Sequence, residues 1–507
     1  MFTKNALLSV YHKDGIVEFA RELIKLGWRI FASGGTAKTL TAAGVAVTDV
    51  AELEKLGIPF FDLACVDLYP LEKAIADPKA TVESVTEMTD IGGPTMLLSA
   101  AKGRRIVIGD PKDRQIVIDN LKTNGEIPKQ LRLELAAKAE YLVSKYRLNP
   151  ARYLSEGLYD GTIGIRIAAC KGENAWQRPA GVYSTNFNND QLAIPETFIL
   201  VEGEAPSAIN WFDLSRALQT ATHLAAGFEI NFGKFPKLAI GVKHSNACGV
   251  GINETNCQTA IINMLLGDPL AIYGGFVLLN FPVGKNEADL LVHQYLKPGE
   301  KRRPLDGIAA PTFTDEAKEI LVRKGGRCRL LVNPVLAELN RNSLDTQPII
   351  RTLRSGFVLE PNYTFVLIKD HPEIKVYPEE QRELIDWEKI ILAWAIGSTS
   401  NSNTITIVGN GMLYGNGVGQ KDRVGCAELA LWGAKRSQLD VYDATAYSDS
   451  FFPFPDGPMV LAKAGITTIF ASSGSIRDQE VIAACLEKGV TLVMCPDAIC
   501  RGFAFHS

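Results

Sequence analysis

The chain has 507 residues, a formal net charge of −4 at pH 7 and an apolar residue fraction of 46%. Its length exceeds that of one ordinary domain, so we expect two or three domains. The charge provides no basic surface for nucleic acid, and no apolar run approaches the roughly 20 residues that a membrane-spanning helix needs.

Nine cysteines occur without a Cys-x-x-Cys pair. An odd number fits no closed disulfide framework, and the absence of such pairs argues against a thiolate zinc site. The N-terminus has no signal-peptide apolar core or cleavage site. The sequence therefore predicts a cytoplasmic protein and no bound metal.

The first third of the chain alternates between strand-like and helix-like patterns. The predicted strands are residues 6–10, 28–32, 45–50 and 105–108, and the predicted helices are 15–26, 37–43 and 129–146. This βαβ order predicts a parallel sheet with helices on both faces. We expect a first domain at 1–147, a linker at 148–165 and a larger region at 166–507.

The larger region mixes both element types and shows no internal sequence repeat. Predicted strands are 238–242, 307–310, 329–332, 404–408, 467–471 and 491–494; predicted helices are 214–226, 315–324, 379–396, 423–435 and 479–488.

A cation and an imidazole lie side by side at the end of a predicted strand. Lys243 and His244 follow the apolar run 238–242, and Ser245-Asn246 follow them. A rigid strand aims such side chains while a loop leaves them accessible, which suits proton transfer. The alternative is a solvent-facing pair.

The segment 33–36, Ser-Gly-Gly-Thr, lies between a predicted strand and a predicted helix. Its glycines allow close approach of a ligand to the backbone, and the helix start offers free N–H groups and a positive dipole end. A phosphate would fit there, although an ordinary turn is the alternative.

Three other segments invite a functional interpretation. Asp90 precedes a glycine turn and a predicted helix leading to Lys102, which would otherwise be an ordinary capped helix. Alternating glycines in 411–420 would let a flat group lie against the backbone, or they form a bulged hairpin. The aromatic, proline-stiffened segment 451–456 would wall an aromatic ligand, or it simply packs.

Together and in this order, the motifs resemble the bifunctional AICAR transformylase/IMP cyclohydrolase family over nearly the whole chain. They are residues 33–36, 67–70, 90–95, 243–249, 268–275, 402–403, 415–420 and 451–456. The resemblance implies an α/β fold. It pairs an N-terminal methylglyoxal-synthase-like parallel-sheet domain with a larger cytidine-deaminase-like transformylase region of two subdomains.

The resemblance also implies an activity. The family moves a formyl group from 10-formyltetrahydrofolate, a co-substrate, to the 5-amino group of AICAR, without a metal. It then closes formyl-AICAR (FAICAR) to IMP in purine biosynthesis. The family implies a homodimer with the transformylase site at its interface.

Individual residues take roles through the same resemblance. AICAR's amine is a poor nucleophile, so His244 would serve as base, with Lys243 stabilising the oxyanion and Asn403 positioning the reactants. The implied substrate contacts of the transformylase are Gly275, Arg423, Phe451, Asp456 and Arg501. In the first domain, the implied phosphate contacts are Lys13, Ser33, Gly34, Gly35 and Thr36, and the implied cyclohydrolase residues are Tyr69, Asp90 and Lys102.

The chain departs from the family pattern at several places. The basic motif Arg-Val-Lys-Thr-Leu-His-Pro is missing after residue 50, and Asp67 replaces an Asn, which adds a charge unfavourable to a phosphorylated ligand. These changes predict a weak or lost cyclohydrolase.

On the transformylase side, Cys170-Lys171 replaces an Arg-Tyr pair, and Lys171 would meet a phosphate only as a point charge. Phe212-Asp213-Leu214 stands for Asn-Asn-Leu, and Pro455 for an Arg. The alternatives are therefore a paralogue that formylates a different amine, or a catalytically silent nucleotide-binding dimer.

Overall fold

A computed structural model describes residues 4–8, 13, 15–25, 27–32, 34–49, 62–156, 158–160, 164–174, 176–184, 190–296, 299–502 and 505–506. The chain divides into two compact units, Met1–Tyr159 and Asp160–Ser507. The division falls inside the segment that the sequence predicts as a linker.

The first unit has parallel strand pairing, as predicted. Its elements are β1 (Lys4–Leu8), α1 (Ile16–Lys25), β2 (Trp28–Ala32), α2 (Gly34–Ala42), β3 (Val47–Asp49), β4 (Leu63–Cys65), α3 (Leu71–Ile75), α4 (Val82–Glu87), α5 (Gly92–Lys102), β5 (Ile106–Ile108), α6 (Arg114–Asn124) and α7 (Lys129–Leu154), with β6 (Tyr159–Asp160) at the division. Strands β1, β2 and β3 pair in parallel, and so do β4 and β5.

Helix α7 is longer than predicted and enters the expected linker. The sequence pattern ends near Tyr146, yet the helix continues through Pro150 to Leu154. Its buried residues recur every three or four positions up to Pro150 itself, so the packed face continues past the proline. Tertiary packing therefore extends the helix where the local sequence would end it.

The second unit is built on one large sheet. Its elements are β7 (Gly164–Cys170), β8 (Ala180–Ser184), β9 (Ile199–Glu202), α8 (Ala208–Phe232), β10 (Lys237–Lys243), β11 (Asn246–Asn253), α9 (Cys257–Gly267), β12 (Phe276–Leu279), α10 (Lys285–His293), β13 (Gly307–Ala310), α11 (Asp315–Leu321), β14 (Arg329–Val332), β15 (Ile349–Leu353), β16 (Gly356–Glu360), β17 (Lys375–Tyr377), α12 (Trp387–Ser398), β18 (Asn401–Ser402), β19 (Ile405–Gly409), β20 (Met412–Gly417), α13 (Arg423–Arg436), β21 (Thr445–Ser448), α14 (Asp456–Lys463), β22 (Thr468–Ser473), α15 (Asp478–Glu487), β23 (Thr491–Pro496), α16 (Asp497–Cys500) and β24 (Phe505–His506).

The large sheet has twelve strands in the order β17-β23-β22-β21-β19-β20-β11-β10-β12-β13-β14-β9. Its halves repeat one pattern. In each, a hairpin (β10–β11 or β19–β20) adjoins a parallel trio (β12–β14 or β21–β23) and an antiparallel edge strand (β9 or β17). The halves join where β11 meets β20. This repeat in the fold has no counterpart visible in the sequence.

Helices cover both faces of this sheet. The long helices α8 and α12 share one core cluster with inward-facing strand residues such as Ile240 and Val242. On the other face, α9 to α11 pack over the first half and α13 to α15 over the second. The result is a three-layer α/β/α arrangement, which confirms the predicted α/β class.

The prediction of a single helix over 379–396 is wrong. The structure has a short 3-10 helix, Glu379–Leu384, followed by a separate helix α12 that begins at Trp387. Asp386 interrupts the pattern because its carboxylate accepts a hydrogen bond from the Lys389 amide, the normal role of an N-cap.

Within the described part of the chain, none of the helices combines the length and apolar character that crossing a bilayer demands.

Candidate active site

Most of the predicted transformylase residues lie along one row of strand ends of the large sheet, which we call the sheet edge, as distinct from its edge strands β9 and β17. Lys243 ends β10, and the pairing of Ile405 with both Gly417 and Ser448 brings the start of β19 to the ends of β20 and β21. Open α/β sheets bind ligands beyond the carboxyl ends of their strands. This edge is therefore the candidate site of the second unit.

His244 and Ser245 form the tight turn between β10 and β11. Their φ angles are 53° and 56°, the left-handed conformation that a two-residue hairpin of this type needs at both central positions. Non-glycine residues rarely adopt it, and such outliers cluster at functional sites. The turn leaves the His244 side chain exposed.

Side chains from neighbouring segments hold this turn. The Ser245 amide donates to Asp213 Oδ1 at 2.7 Å, and Asn246 Nδ2 donates to the His244 carbonyl at 3.0 Å. Asn246 Oδ1 in turn accepts from the Asn401 amide at 3.3 Å. The turn is thus connected to helix α8 and to the segment that carries Asn403.

Lys243 lies half-buried beside the predicted residue Gly275. Its Nζ donates to the Tyr273 carbonyl at 2.6 Å. A side chain at position 275 would lie only 2.9 Å from the Val242 carbonyl oxygen. Gly275 therefore lets this loop approach β10 closely enough to anchor the lysine.

Asn403 is fixed in front of β19. Its Nδ2 donates to the Gln420 carbonyl at 2.9 Å, and its carbonyl accepts from Cys426 Sγ at 3.0 Å. The link between Asn246 and Asn401 brings this segment next to the turn. The three residues predicted for catalysis, Lys243, His244 and Asn403, thus come from segments that meet at one edge.

Lys243 and His244 line a cavity of about 260 Å³. Asn416, Trp432 and Arg436 line the same cavity. Arg436 is ion-paired with Asp268, and its guanidinium carbon lies 4.4 Å from the centroid of the Trp432 ring. The cavity therefore pairs the proposed base with an aromatic and cationic wall.

Asp449 organises the site, although the sequence analysis did not single it out. This buried carboxylate accepts from Arg423 Nη1 at 2.7 Å through Oδ1 and from the Thr404 amide at 3.1 Å through Oδ2. Its carbonyl accepts from the Gly502 amide at 3.3 Å. Its position after a strand end and just before Phe451 is the sequence feature that could have indicated a functional role. An Asp between two serines, however, usually predicts an exposed loop.

Arg423, predicted to contact substrate, is largely occupied by protein. Its Nε also donates to the Phe451 carbonyl at 2.9 Å, and its side chain is 11% exposed. Arg423 therefore connects α13 to the aromatic segment 451–456, and Phe451 lies half-buried beside it.

The remaining predicted substrate residues of this unit are exposed. Arg501 lies 3.6 Å from Asp497, Lys171 lies 3.7 Å from Glu204, and Asp456 begins helix α14. Because exposed ion pairs are weak, Arg501 and Lys171 can turn to a ligand at little cost.

The glycines of β20 do not face a ligand. A Cβ added at Gly415 or Gly417 would collide with the carbonyl of Ala430 or Cys426 in helix α13. The flat group that lies against these glycines is therefore the backbone of a helix, and the bulged-hairpin interpretation holds for this segment.

In the first unit, Lys13 lies over the start of α2. A Cβ at Gly35 would lie 3.8 Å from Lys13 Cε, and Gly34 has the left-handed φ of 43°. Thr36 is buried in the first helical turn. A cation and a helix N-terminus thus share one place, as the phosphate prediction requires. Ser33 lies outside the described residues.

The predicted cyclohydrolase residues are only partly brought together. Tyr69 and Asp90 line one open cleft, where Asp90 Oδ1 accepts from the Gly93 amide at 2.8 Å. Lys102 is exposed at the opposite end of α5, about 15 Å away at 1.5 Å per residue.

Asp67 also lines this cleft, where it forms a 2.5 Å ion pair with Arg114. Its charge is therefore balanced and opposes a phosphorylated ligand less than its sequence suggests. Residues 50–61, where the basic motif of the family is missing, lie outside the described residues.

Comparisons with known proteins agree with this architecture. The family model described as "AICARFT/IMPCHase bienzyme" matches residues 100–433, and one for an MGS-like domain matches 15–95. The "Bifunctional purine biosynthesis protein PurH" of Lysinibacillus sphaericus (strain C3-41) is 32% identical, covering 97% of this chain and 98% of its own. The protein of the same name from Chlorobium chlorochromatii (strain CaD3) is 31% identical, covering 97% of each chain.

A chain titled "Crystal structure of ForH" is 28% identical, covering 30% of this chain and 98% of its own with a TM-score of 0.19, which is too low to bear on the fold. The family model matches well over half of the chain, and the relatives named PurH align along nearly its whole length. The chain belongs to the AICARFT/IMPCHase bienzyme family.

Proposed function

We propose that the second unit transfers the formyl group of 10-formyltetrahydrofolate to the 5-amino group of AICAR. The observation that carries this proposal is the left-handed His244–Ser245 turn, which helix α8 and the segment carrying Asn403 hold in place. A backbone conformation this unfavourable persists only where surrounding contacts impose it, and it often serves a mechanism.

In the proposed reaction each catalytic residue has one task. The amine nitrogen attacks the formyl carbon, and His244 accepts the proton that this nitrogen loses. Lys243 keeps one N–H on the Tyr273 carbonyl and has others for the developing oxyanion. Collapse of the intermediate breaks the bond to the folate nitrogen, which receives the proton from His244. Asn403 orients the reactants.

We propose further that the cyclohydrolase activity of this chain is weak or absent. The missing basic motif supports this, because losing a charge-assisted contact to phosphate costs about 1.5–3 kcal/mol.

A second candidate is formyl transfer to a different amine. It is favoured by Cys170-Lys171 in place of an Arg-Tyr pair, because Lys171 forms a long ion pair with Glu204 and cannot make the bidentate contact of an arginine.

Replacing His244 by Ala tests the leading proposal. We expect kcat for formyl transfer to AICAR to fall at least about 100-fold, with nucleotide affinity largely retained, because a general base acts only on the chemical step. His293→Ala is the matched control, since His293 lies on the exposed face of α10. If His244→Ala turns over AICAR as fast as the unsubstituted protein, the proposal is contradicted. If the unsubstituted protein formylates another amine but not AICAR, the second candidate is favoured.

A further inference from the structure

The turn that carries His244 needs external support. Two adjacent non-glycine residues in left-handed conformations are unfavourable, because each Cβ crowds the following carbonyl. The Asn246 contact to the His244 carbonyl is internal to the hairpin. A hydrogen bond from outside the hairpin is therefore the stronger constraint on the turn.

Asp213 supplies such a bond from helix α8. Its side chain is 3% exposed, and its Oδ1 accepts from the Ser245 amide at 2.7 Å. Hydrogen bonds to a carboxylate are shorter and stronger than those between neutral groups. Asp213 thus couples the turn to the longest helix of the second unit.

The charge of Asp213 is not needed for that bond alone. Burial raises the pKa of this carboxyl, while the Ser245 amide, His244 and Lys243 favour its ionised form and Asp306 opposes it. A neutral amide would accept the same hydrogen bond without the cost of burying a charge. What the charge adds is a negative group hydrogen-bonded to the residue next to His244, whose imidazole becomes cationic when it takes a proton.

We infer that Asp213 is a positioning residue for formyl transfer, which fixes the turn carrying His244 and places a negative charge beside that turn. This inference rests on the proposed function, because it concerns the same site and presumes that His244 is the base. It extends the proposal to a residue at which the chain departs from the Asn of the family motif.

Two substitutions separate the bond from the charge. Asp213→Ala removes the acceptor, and we expect kcat to fall at least tenfold. Asp213→Asn keeps an acceptor, and we expect it to recover most of kcat near pH 8. The acidic limb of its kcat profile should move to lower pH, because an imidazolium loses a neighbouring negative charge.

Asn231→Ala is the matched control. Asn231 is also buried on α8 and accepts from a backbone amide, that of Lys369, at 2.7 Å. It lies 18 residues further along the helix, about 27 Å from Asp213 at 1.5 Å per residue. A general loss of α8 packing would lower thermal stability in both alanine variants, whereas only Asp213→Ala should lower kcat per folded molecule.

The outcomes test the role of Asp213 separately from the proposed formyl transfer. If His244→Ala abolishes turnover while both Asp213 variants keep the wild-type kcat and pH profile, the inference is wrong and the function stands. An Asp213→Asn profile with an unmoved acidic limb would leave Asp213 a structural acceptor only. If His244→Ala is fully active, both fail together.

Discussion

At the scale of single residues, Asp449 connects three parts of the candidate site through its buried carboxylate and its backbone carbonyl. Its carboxylate holds Arg423 by an ion pair and accepts from the Thr404 amide before β19, and its backbone carbonyl accepts from the Gly502 amide of the C-terminal segment. Because its side chain is fully buried, the guanidinium of Arg423 depends on it for charge balance. Substrate contacts near Asn403 and Arg501 therefore rely on a residue that need not touch the substrate.

Replacing Asp449 by Asn tests this role. We expect a loss of about 3 kcal/mol in the free energy of unfolding, because the substitution leaves a nearly buried guanidinium without its counter-charge. The affinity for AICAR should fall with it. Glu254→Gln is the control, since it breaks an exposed pair with Lys234 and should change the free energy of unfolding little. Equal stability changes in a urea titration would rule out the proposed role.

The sequence predicted the place of Lys243 and His244 because both follow an uninterrupted apolar strand pattern. It could not predict the left-handed turn, since non-glycine residues seldom adopt that conformation. Nor could it predict the role of Asp449, whose partners lie 26 to 53 positions away in the chain. Long-range hydrogen bonds leave no local pattern.

At the scale of elements, strand β20 and helix α13 pack backbone to backbone. Gly415 and Gly417 face the carbonyls of Ala430 and Cys426, with no room for a side chain. This close packing places Arg423, at the start of the helix, beside the end of the strand. The glycine spacing predicted a flat neighbour, but single-chain periodicity cannot say whether that neighbour is a ligand or a helix.

The glycine pair Gly415 and Gly433 provides a direct test of this packing. Gly415→Ala should lower the free energy of unfolding by roughly 1–3 kcal/mol, because its methyl group would overlap a backbone carbonyl. Gly433→Ala, on the helix opposite, should be neutral or slightly stabilising, since its Cβ meets only Gly415 Cα at 3.9 Å and alanine favours helix. Equal effects of the two substitutions would contradict the backbone contact.

At the scale of the whole molecule, the twelve-stranded sheet uses one topology twice, and the candidate site draws on both halves. His244 belongs to the hairpin of the first half, whereas Asn403 and Asp449 flank strands of the second. The α/β class followed from alternating apolar patterns. The repeat did not, because it resides in strand order and pairing direction, which many different sequences satisfy.

The most direct measurement incubates purified protein with AICAR and 10-formyltetrahydrofolate, follows tetrahydrofolate release and identifies the nucleotide product. We predict that formyl-AICAR accumulates with little IMP, because the formyl-transfer residues meet at one sheet edge while the basic motif of the first unit is missing after residue 50. Rapid formation of IMP would contradict the weak cyclohydrolase, and absence of any turnover would contradict the proposed formyl transfer to AICAR.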